Sequence, residues 1–325
     1  MPLTFDMSRD QLEHYAGTNP RPEDHDAYWQ ATMAELDALD ADVVLEPADF
    51  QTGFATCSHL WFTGLGGARV HAKLIRPAAV ARGESEPGPA VLLFHGYGGR
   101  APDWTDILSH AAAGRTVAAL DCRGQAGLSE DNLSVRGWTR TGHIIRGLEE
   151  DDPSQLYYRH VFADTALLAR IVMGMDGVDP NRVGATGGSQ GGALTIACAA
   201  LEPRIALAAP VFPFLSDYKR VYDLDLCKDA YGEISEWFKK RDPLHSKESE
   251  VFTRLGYIDV QFLAPRIRAT VLMATGFADM VCPPSTQFAA YNKITASKQL
   301  LVYPDHGHEG LPGVNDTIFT FLSDL

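Results

Sequence analysis

Arg182-Val183-Gly184-Ala185-Thr186-Gly187-Gly188-Ser189-Gln190-Gly191-Gly192 runs from a strand-like segment, Arg182 to Thr186, through a glycine-rich turn. The segment beyond it, Gly191 to Leu201, is small and apolar all round, as expected of a helix enclosed in the middle of the molecule. Glu202 and Pro203 mark the end of that helix, because proline cannot continue it and restricts the residue before it. Between strand and helix, Gly187-Gly188-Ser189-Gln190-Gly191 matches G-x-S-x-G in the strand–turn–helix setting that gives the pattern its meaning. The glycines permit a tight, strained turn and close helix–strand packing. Such a turn holds the Ser189 hydroxyl at the top of a sheet, beside a helix N-terminus. A glycine-rich helix cap is the plainer reading, and it leaves unexplained the two partners found further along the chain.

Outward from this stretch, short apolar runs alternate with helical patterns. The runs are Ala90 to Phe94, Thr116 to Leu120, Arg182 to Thr186, Ile205 to Val211, Thr270 to Thr275 and Gln299 to Tyr303. That alternation predicts an α/β fold, a mostly parallel central sheet with helices on both faces. Cys57 to Phe62 and Arg69 to Ile75 read as an antiparallel hairpin turned by Gly64, Gly66 and Gly67, and Ala78 to Pro89 as an exposed linker. Gln155 to Met173 spaces Tyr158, Phe162, Thr165, Leu168 and Val172 for a helix burying one face. Pro22 to Leu39 reads as a surface helix with Tyr28, Trp29, Met33 and Leu36 inward. Ser216 to Leu263 has helical patterning without a strand and is expected to lie as an insertion over the sheet's carboxyl edge, where open α/β sheets bind ligands. The expected organisation is a single domain over residues 1–325 carrying a helical insertion at 216–263.

Composition narrows the function classes. The 325 residues carry 28 basic against 42 acidic side chains, a formal charge of −14. Without a basic patch, nucleic acid and anionic membrane surfaces are poor partners. No apolar run approaches the ~20 residues of a membrane span. The first ten residues lack a basic-then-apolar signal pattern. The five cysteines form no close-paired motif, so a reducing cytoplasm is the simplest home.

A serine hydroxyl needs a neutral imidazole to take its proton during attack. The chain order of this hydrolase pattern places an acid next and a histidine last. Asp279 lies just beyond Thr270 to Thr275, and His308 follows the final strand in Asp305-His306-Gly307-His308-Glu309-Gly310. Both positions follow parallel strands and share an edge with Ser189. Asp279 would orient the imidazole, and His308 would act as base and then acid. Asp305 could orient His308 instead, but its place before the loop tip suits a turn cap. An alternating His306/His308 pair could ligate a metal, yet no cluster of zinc-site spacing accompanies it, and no metal is expected. Phe94-His95-Gly96-Tyr97-Gly98-Gly99 supplies the other half of the site. The amides of Gln190 and Tyr97 are the expected donors to a developing oxyanion, with His95 holding the loop in place. Arg123 and Gln125 suit a hydrogen-bonding hub, and Glu309 a brace for the histidine loop. Trp104, Trp138 and Trp237 could offer flat stacking faces to a ligand, although aromatic residues more often pack.

Asp121-Cys122-Arg123-Gly124-Gln125, Gly188-Ser189-Gln190-Gly191-Gly192 and His308-Glu309 resemble the signatures of the acetyl xylan esterase/cephalosporin C deacetylase family, carbohydrate esterase family 7, within the α/β-hydrolases. The segments from Asp279 to Thr286 and from Phe288 to Asn292 are similar to the stretch following that family's catalytic aspartate, and the likeness spans nearly the whole chain. The resemblance implies the α/β-hydrolase fold, a Ser189–Asp279–His308 triad and an oxyanion hole from Tyr97 and Gln190. It implies an acyl pocket from Tyr97, Pro213, Phe214, Val281 and Pro283. It further implies a cofactor-free serine esterase removing acetyl groups from xylo-oligosaccharides and cephalosporin C, assembled as a hexamer. Two departures bear on substrate and assembly: Gly98 stands where the family usually has an asparagine after the tyrosine, and Ser129 to Asp152 is unusual in sequence. The same triad could serve another small ester or amide, a peptide or a carbon–carbon bond, since one scaffold hosts many chemistries. A binding module with an inert site is the non-catalytic alternative.

Overall fold

Alternating burial along Ala55–Thr63 and its pairing with Arg69–Pro77, from Ala55 opposite Pro77 to Thr63 opposite Arg69, make the antiparallel hairpin that the glycines at 64, 66 and 67 announce. Gly66 and Gly67 take the turn at φ of 73° and 81°. The computed structural model describes residues 5–137 and 143–325. Among the described residues nine strands form one sheet: β1 Val44–Pro47, β2 Ala55–Thr63, β3 Arg69–Pro77, β4 Gly88–Phe94, β5 Thr116–Leu120, β6 Val178–Gly188, β7 Leu207–Val211, β8 Thr270–Gly276 and β9 Lys298–Tyr303. Their order is β1-β2-β3-β5-β4-β6-β7-β8-β9. The first three strands and the β3–β5 contact are antiparallel, and every pairing from β5 through β9 is parallel. After β4 the order reverses: β5 lies on one side of it and β6 on the other. The carboxyl ends of β4 and β6 therefore flank the crevice where ligands of such sheets bind.

The predicted strands stand within two residues of their expected bounds, except that β6 begins four residues earlier, at Val178. Central strands buried on both faces read as unbroken apolar runs, and β5 is buried at every position. The edge strand β1 gave no such signal, because all four of its residues are exposed. One face of the sheet carries the helices His25–Asp37, Tyr157–Met173 and Gln190–Leu201. The other carries Leu108–Ala112 and Val314–Phe321.

Two expectations need correction. The helix Tyr157–Met173 buries almost its whole circumference rather than one face, because it lies between the elbow helix and the amino-terminal helix. The expected linker begins with a short helix, Ala78–Ala81, that buries Val80 against the adjoining hairpin, and it ends where β4 starts at Gly88. Between 216 and 263 the chain forms Tyr218–Asp223, Gly232–Arg241, Glu248–Leu255 and Val260–Leu263, with no strand.

The amino-terminal arm is stitched to this helical segment. Asp217 accepts hydrogen bonds from the Tyr15 hydroxyl at 2.8 Å and from the amides of Thr18 and Asn19 at 3.0 and 2.8 Å. Asp6 pairs with Arg220 at 2.6 Å and accepts from the Ser285 amide at 2.6 Å. No helix among the described residues is long and apolar enough to cross a membrane.

Candidate active site

The turn after β6 is as tight as its glycines suggest. A Cβ on Gly187 would lie 2.4 Å from the Phe94 carbonyl oxygen, and one on Gly191 only 2.0 Å from the same atom. Strand, helix and the end of β4 thus meet at distances no other residue allows. Ser189 adopts φ 58°, ψ −120°, a strained conformation for a residue with a side chain, at a cost of about 1–3 kcal/mol. The surrounding backbone holds it there. The Ser189 amide donates to Val211 O at 3.0 Å, and its carbonyl accepts from the amides of Ala193 and Phe214, each at 3.1 Å.

From this position the Ser189 hydroxyl donates to His308 Nε2 at 3.0 Å, and His308 Nδ1–H donates to Asp279 Oδ2 at 2.9 Å. The Asp279 side chain is fully buried, whereas that of His308 keeps 21% of its surface exposed. A buried carboxylate must have its lone pairs satisfied. Asp279 Oδ1 accepts from the amides of Val281 and Cys282 at 2.9 and 2.8 Å, and Oδ2 also accepts from Gln287 Nε2 at 3.4 Å. Gly276, at the end of β8, lets the histidine loop approach: a Cβ there would lie 2.4 Å from His306 O. The His308 ring packs on Phe212 with centroids 4.6 Å apart.

The competing residues fall elsewhere. Asp305 is exposed, and His306 sets its ring edge-on against Tyr303. Asp279, Cys282 and His308 bring three possible donor atoms within 4.8 Å of one another. Both His308 nitrogens, however, already face protein partners, and burial pushes the Cys282 thiol well above its ordinary range.

Around the serine, the loop after β4 is tied down at several points. His95 Nδ1–H donates to Gly96 O at 2.7 Å while Nε2 accepts from the Cys122 amide at 3.0 Å. Burial lowers the His95 pKa, which suits a neutral ring in this structural role. Gln190 opens the elbow helix directly after Ser189, so its amide has no partner within that helix. Its side-chain oxygen accepts from Gln125 Nε2 at 2.8 Å and the Tyr158 hydroxyl at 2.9 Å. Gln125 Oε1 accepts from the Gly98 amide at 2.8 Å. Arg123, wholly inside the protein, makes a bidentate pair with Asp164 at 2.6 and 2.7 Å and donates to Leu65 O at 2.8 Å. A Cβ on Gly64 would collide with that pair. Glu309 accepts from the Gly307 amide at 3.1 Å, bracing the histidine loop.

Of the expected pocket residues, Tyr97 is half-buried and packs edge-on against the fully buried Phe214, centroids 5.7 Å apart. Phe214 in turn lies against Tyr231 at 4.3 Å. Pro213 is buried beside Gly192, Val281 is half-buried next to Asp279, and Pro283 is buried at the head of the helix Pro284–Lys293. Trp104 stacks on Phe50 and Trp237 packs on Phe238, while Trp138 lies outside the described residues. Sequence reasoning missed Glu233, a buried carboxylate on the helix Gly232–Arg241 that accepts from the Tyr97 hydroxyl. No local signal marks it, since its partners lie far away in the chain.

A serine on a strained strand–helix turn, joined through an imidazole to a carboxylate at the carboxyl ends of neighbouring parallel strands, defines an α/β-hydrolase with a serine-type site. The chain belongs to the acetyl xylan esterase family: the family model for acetyl xylan esterase (AXE1) matches residues 1–325. That is the family whose signatures the sequence resembles. The chain is 52% identical to acetyl xylan esterase 1 from Thermoanaerobacterium sp. JW/SL YS485, with a TM-score of 0.95 over 98% of this chain and 99% of that one. It is 33% identical to an acetyl xylan esterase from Paenibacillus sp. R4, with a TM-score of 0.91 over the same shares. Among curated proteins, acetyl esterase Axe7A of Xylanibacter ruminicola is 32% identical over 181 residues. That match covers 56% of this chain and 39% of the relative, so the chain spans about two fifths of that protein's length.

Proposed function

We propose that this protein is a serine esterase that removes acetyl groups from acetylated xylo-oligosaccharides or related sugars. The observation that carries the reading is the unbroken relay from Ser189 Oγ through His308 to Asp279, at 3.0 and 2.9 Å, in a family member. Ser189 Oγ attacks the acetyl carbonyl carbon while His308 Nε2 takes its proton. The resulting oxyanion accepts from the amides of Tyr97 and Gln190. As the ester C–O bond breaks, His308 returns the proton to the departing sugar hydroxyl, leaving acetyl-Ser189. Water then attacks with His308 as base, acetate leaves, and the serine regains its proton. Asp279 holds the imidazole's orientation and stabilises its charged form throughout.

Tyr97, Pro213, Phe214, Val281 and Pro283 would close the acyl pocket at acetyl size. The acetyl ester of cephalosporin C belongs to the same substrate class, a small acyl group on a bulky alcohol. We read the chain as one domain carrying the 216–263 segment as a helical insertion, acting in the cytoplasm as a homo-oligomer, a hexamer by family likeness. Acetate release from acetylated xylan fragments, sugar peracetates and cephalosporin C, together with p-nitrophenyl esters of increasing length, tests the proposal. Turnover should be fastest on acetate esters and fall with chain length. Faster turnover on octanoate, or no release from any acetylated sugar, would refute it.

A further inference from the structure

Glu233 is only 4% exposed. Its Oε1 accepts from the Tyr97 hydroxyl and from the His143 amide at 3.2 Å, and its Oε2 from the amides of Ile144 and Ile145 at 2.9 and 3.3 Å. Successive backbone amides of this kind form an anion-binding concavity. These four donors offset part of the cost of its burial. Three backbone amides account for a brace between the insertion and the 143–145 turn. They do not account for the fourth donor.

That donor, Tyr97, stands between two glycines. Gly96 and Gly98 flank it, Gly98 at φ 67°, and neither position is crowded: a Cβ on either would meet nothing within 4 Å. The Gly96 carbonyl is held by His95 Nδ1–H at 2.7 Å and the Gly98 amide by Gln125 Oε1 at 2.8 Å, and between these two anchors the direction of the Tyr97 peptide also depends on what grips the side chain. The Tyr97 ring is held edge-on by His143, with centroids 5.0 Å apart, and by Phe214 at 5.7 Å, each at 72°. Its hydroxyl is held at the tip by Glu233.

We infer that Glu233 is a positioning residue for acyl transfer: reaching in from the helical insertion, it fixes Tyr97 and with it the oxyanion amide of the loop after β4. This inference rests on the proposed esterase mechanism and deepens it. Glu233 touches no reacting atom. It acts through Tyr97, and its loss should be felt where the oxyanion forms rather than where substrate first binds.

The test compares Glu233→Gln, Tyr97→Phe and the double variant on p-nitrophenyl acetate, with rates expressed per Ser189 titrated by a fluorophosphonate. Tyr97→Phe keeps the backbone amide and removes only the hydroxyl. Removing an oxyanion donor outright costs ~10²–10³ in turnover, and misdirecting one should cost less, about 10- to 100-fold. Each single variant should lose kcat on that scale with KM within about threefold, and the double variant should be no more than about threefold worse than either. A purely structural role would lower the melting temperature and leave kcat per titrated site unchanged, which would overturn the inference. So would multiplicative losses in the double variant. If Glu233→Gln does not fold, Tyr97→Phe decides alone: wild-type kcat there sinks the idea. Failure of the wild type to label at Ser189 would instead sink the esterase mechanism, so the two failures are distinguishable.

Discussion

The side-chain amides of Gln125 and Gln190 bond each other in both directions: Gln125 Nε2 donates to Gln190 Oε1 at 2.8 Å, and Gln190 Nε2 donates to Gln125 Oε1 at 3.1 Å. Gln190 follows the serine at the elbow, and Gln125 follows β5 and also receives the Gly98 amide. The pair thus couples the two chain segments proposed to carry the oxyanion donors.

Replacing Gln125 by leucine removes this coupling while keeping a similar volume. Turnover of p-nitrophenyl acetate should fall about tenfold with KM little changed, because the donors matter most once the oxyanion exists. A rise in KM with unchanged kcat would place Gln125 in substrate binding instead.

Ser189→Ala and His308→Ala should each lower kcat by about 10⁴–10⁶, and the double variant should be no slower than the worse single one, because the two groups act as a unit. Steady-state rates on p-nitrophenyl acetate measure this. Multiplicative losses would mean that the two side chains act in separate steps.

Arg123→Met should destabilise the protein by about 3–5 kcal/mol, because it leaves Asp164 buried without its partner. Adding Asp164→Leu should restore a large part of that loss. Urea unfolding of both variants reads the effect, and rates per folded molecule should stay within a few-fold of wild type.

Asp259 is wholly buried, and burial first, then the charge of Asp217, pushes its pKa up to about 7. Below about pH 4 folded and unfolded chains both hold this proton. Above that, the unfolded chain releases it while the folded one retains it, so this group subtracts stability as pH rises toward 7. Asp259→Asn cannot ionise. The variant's melting temperature minus that of the wild type should therefore become more favourable between pH 4.5 and 7.5. A difference independent of pH would contradict the assignment.

The core strands and the elbow were readable because their signals are local: unbroken apolar runs, glycines at points of close approach, and a serine between strand and helix. Asp279 and His308 could be placed because each follows a strand whose end lies on a known edge. Glu233 was invisible because its meaning comes from Tyr97 and from backbone amides about 90 residues away. A glutamate near the start of a helix otherwise reads as a favourable surface charge. Arg123 could be recognised as a hub, but its partner Asp164 sits mid-helix in a segment whose periodicity suggested only one buried face. Strand β1 pairs Val44 with Trp61 while exposing every residue, so its order comes from backbone hydrogen bonding rather than burial.

Asp6, Tyr15, Thr18 and Asn19 work like lacing, drawn across Arg220, Ser285 and Asp217. Ser285 lies only six residues past Asp279, the hydrogen-bond partner of His308, so the arm is tied close to the proposed triad. Cutting away residues 6–19, or crowding them with a fused tag, should therefore slacken the segment that carries Asp217 and Arg220 and the start of the helix at Ser285.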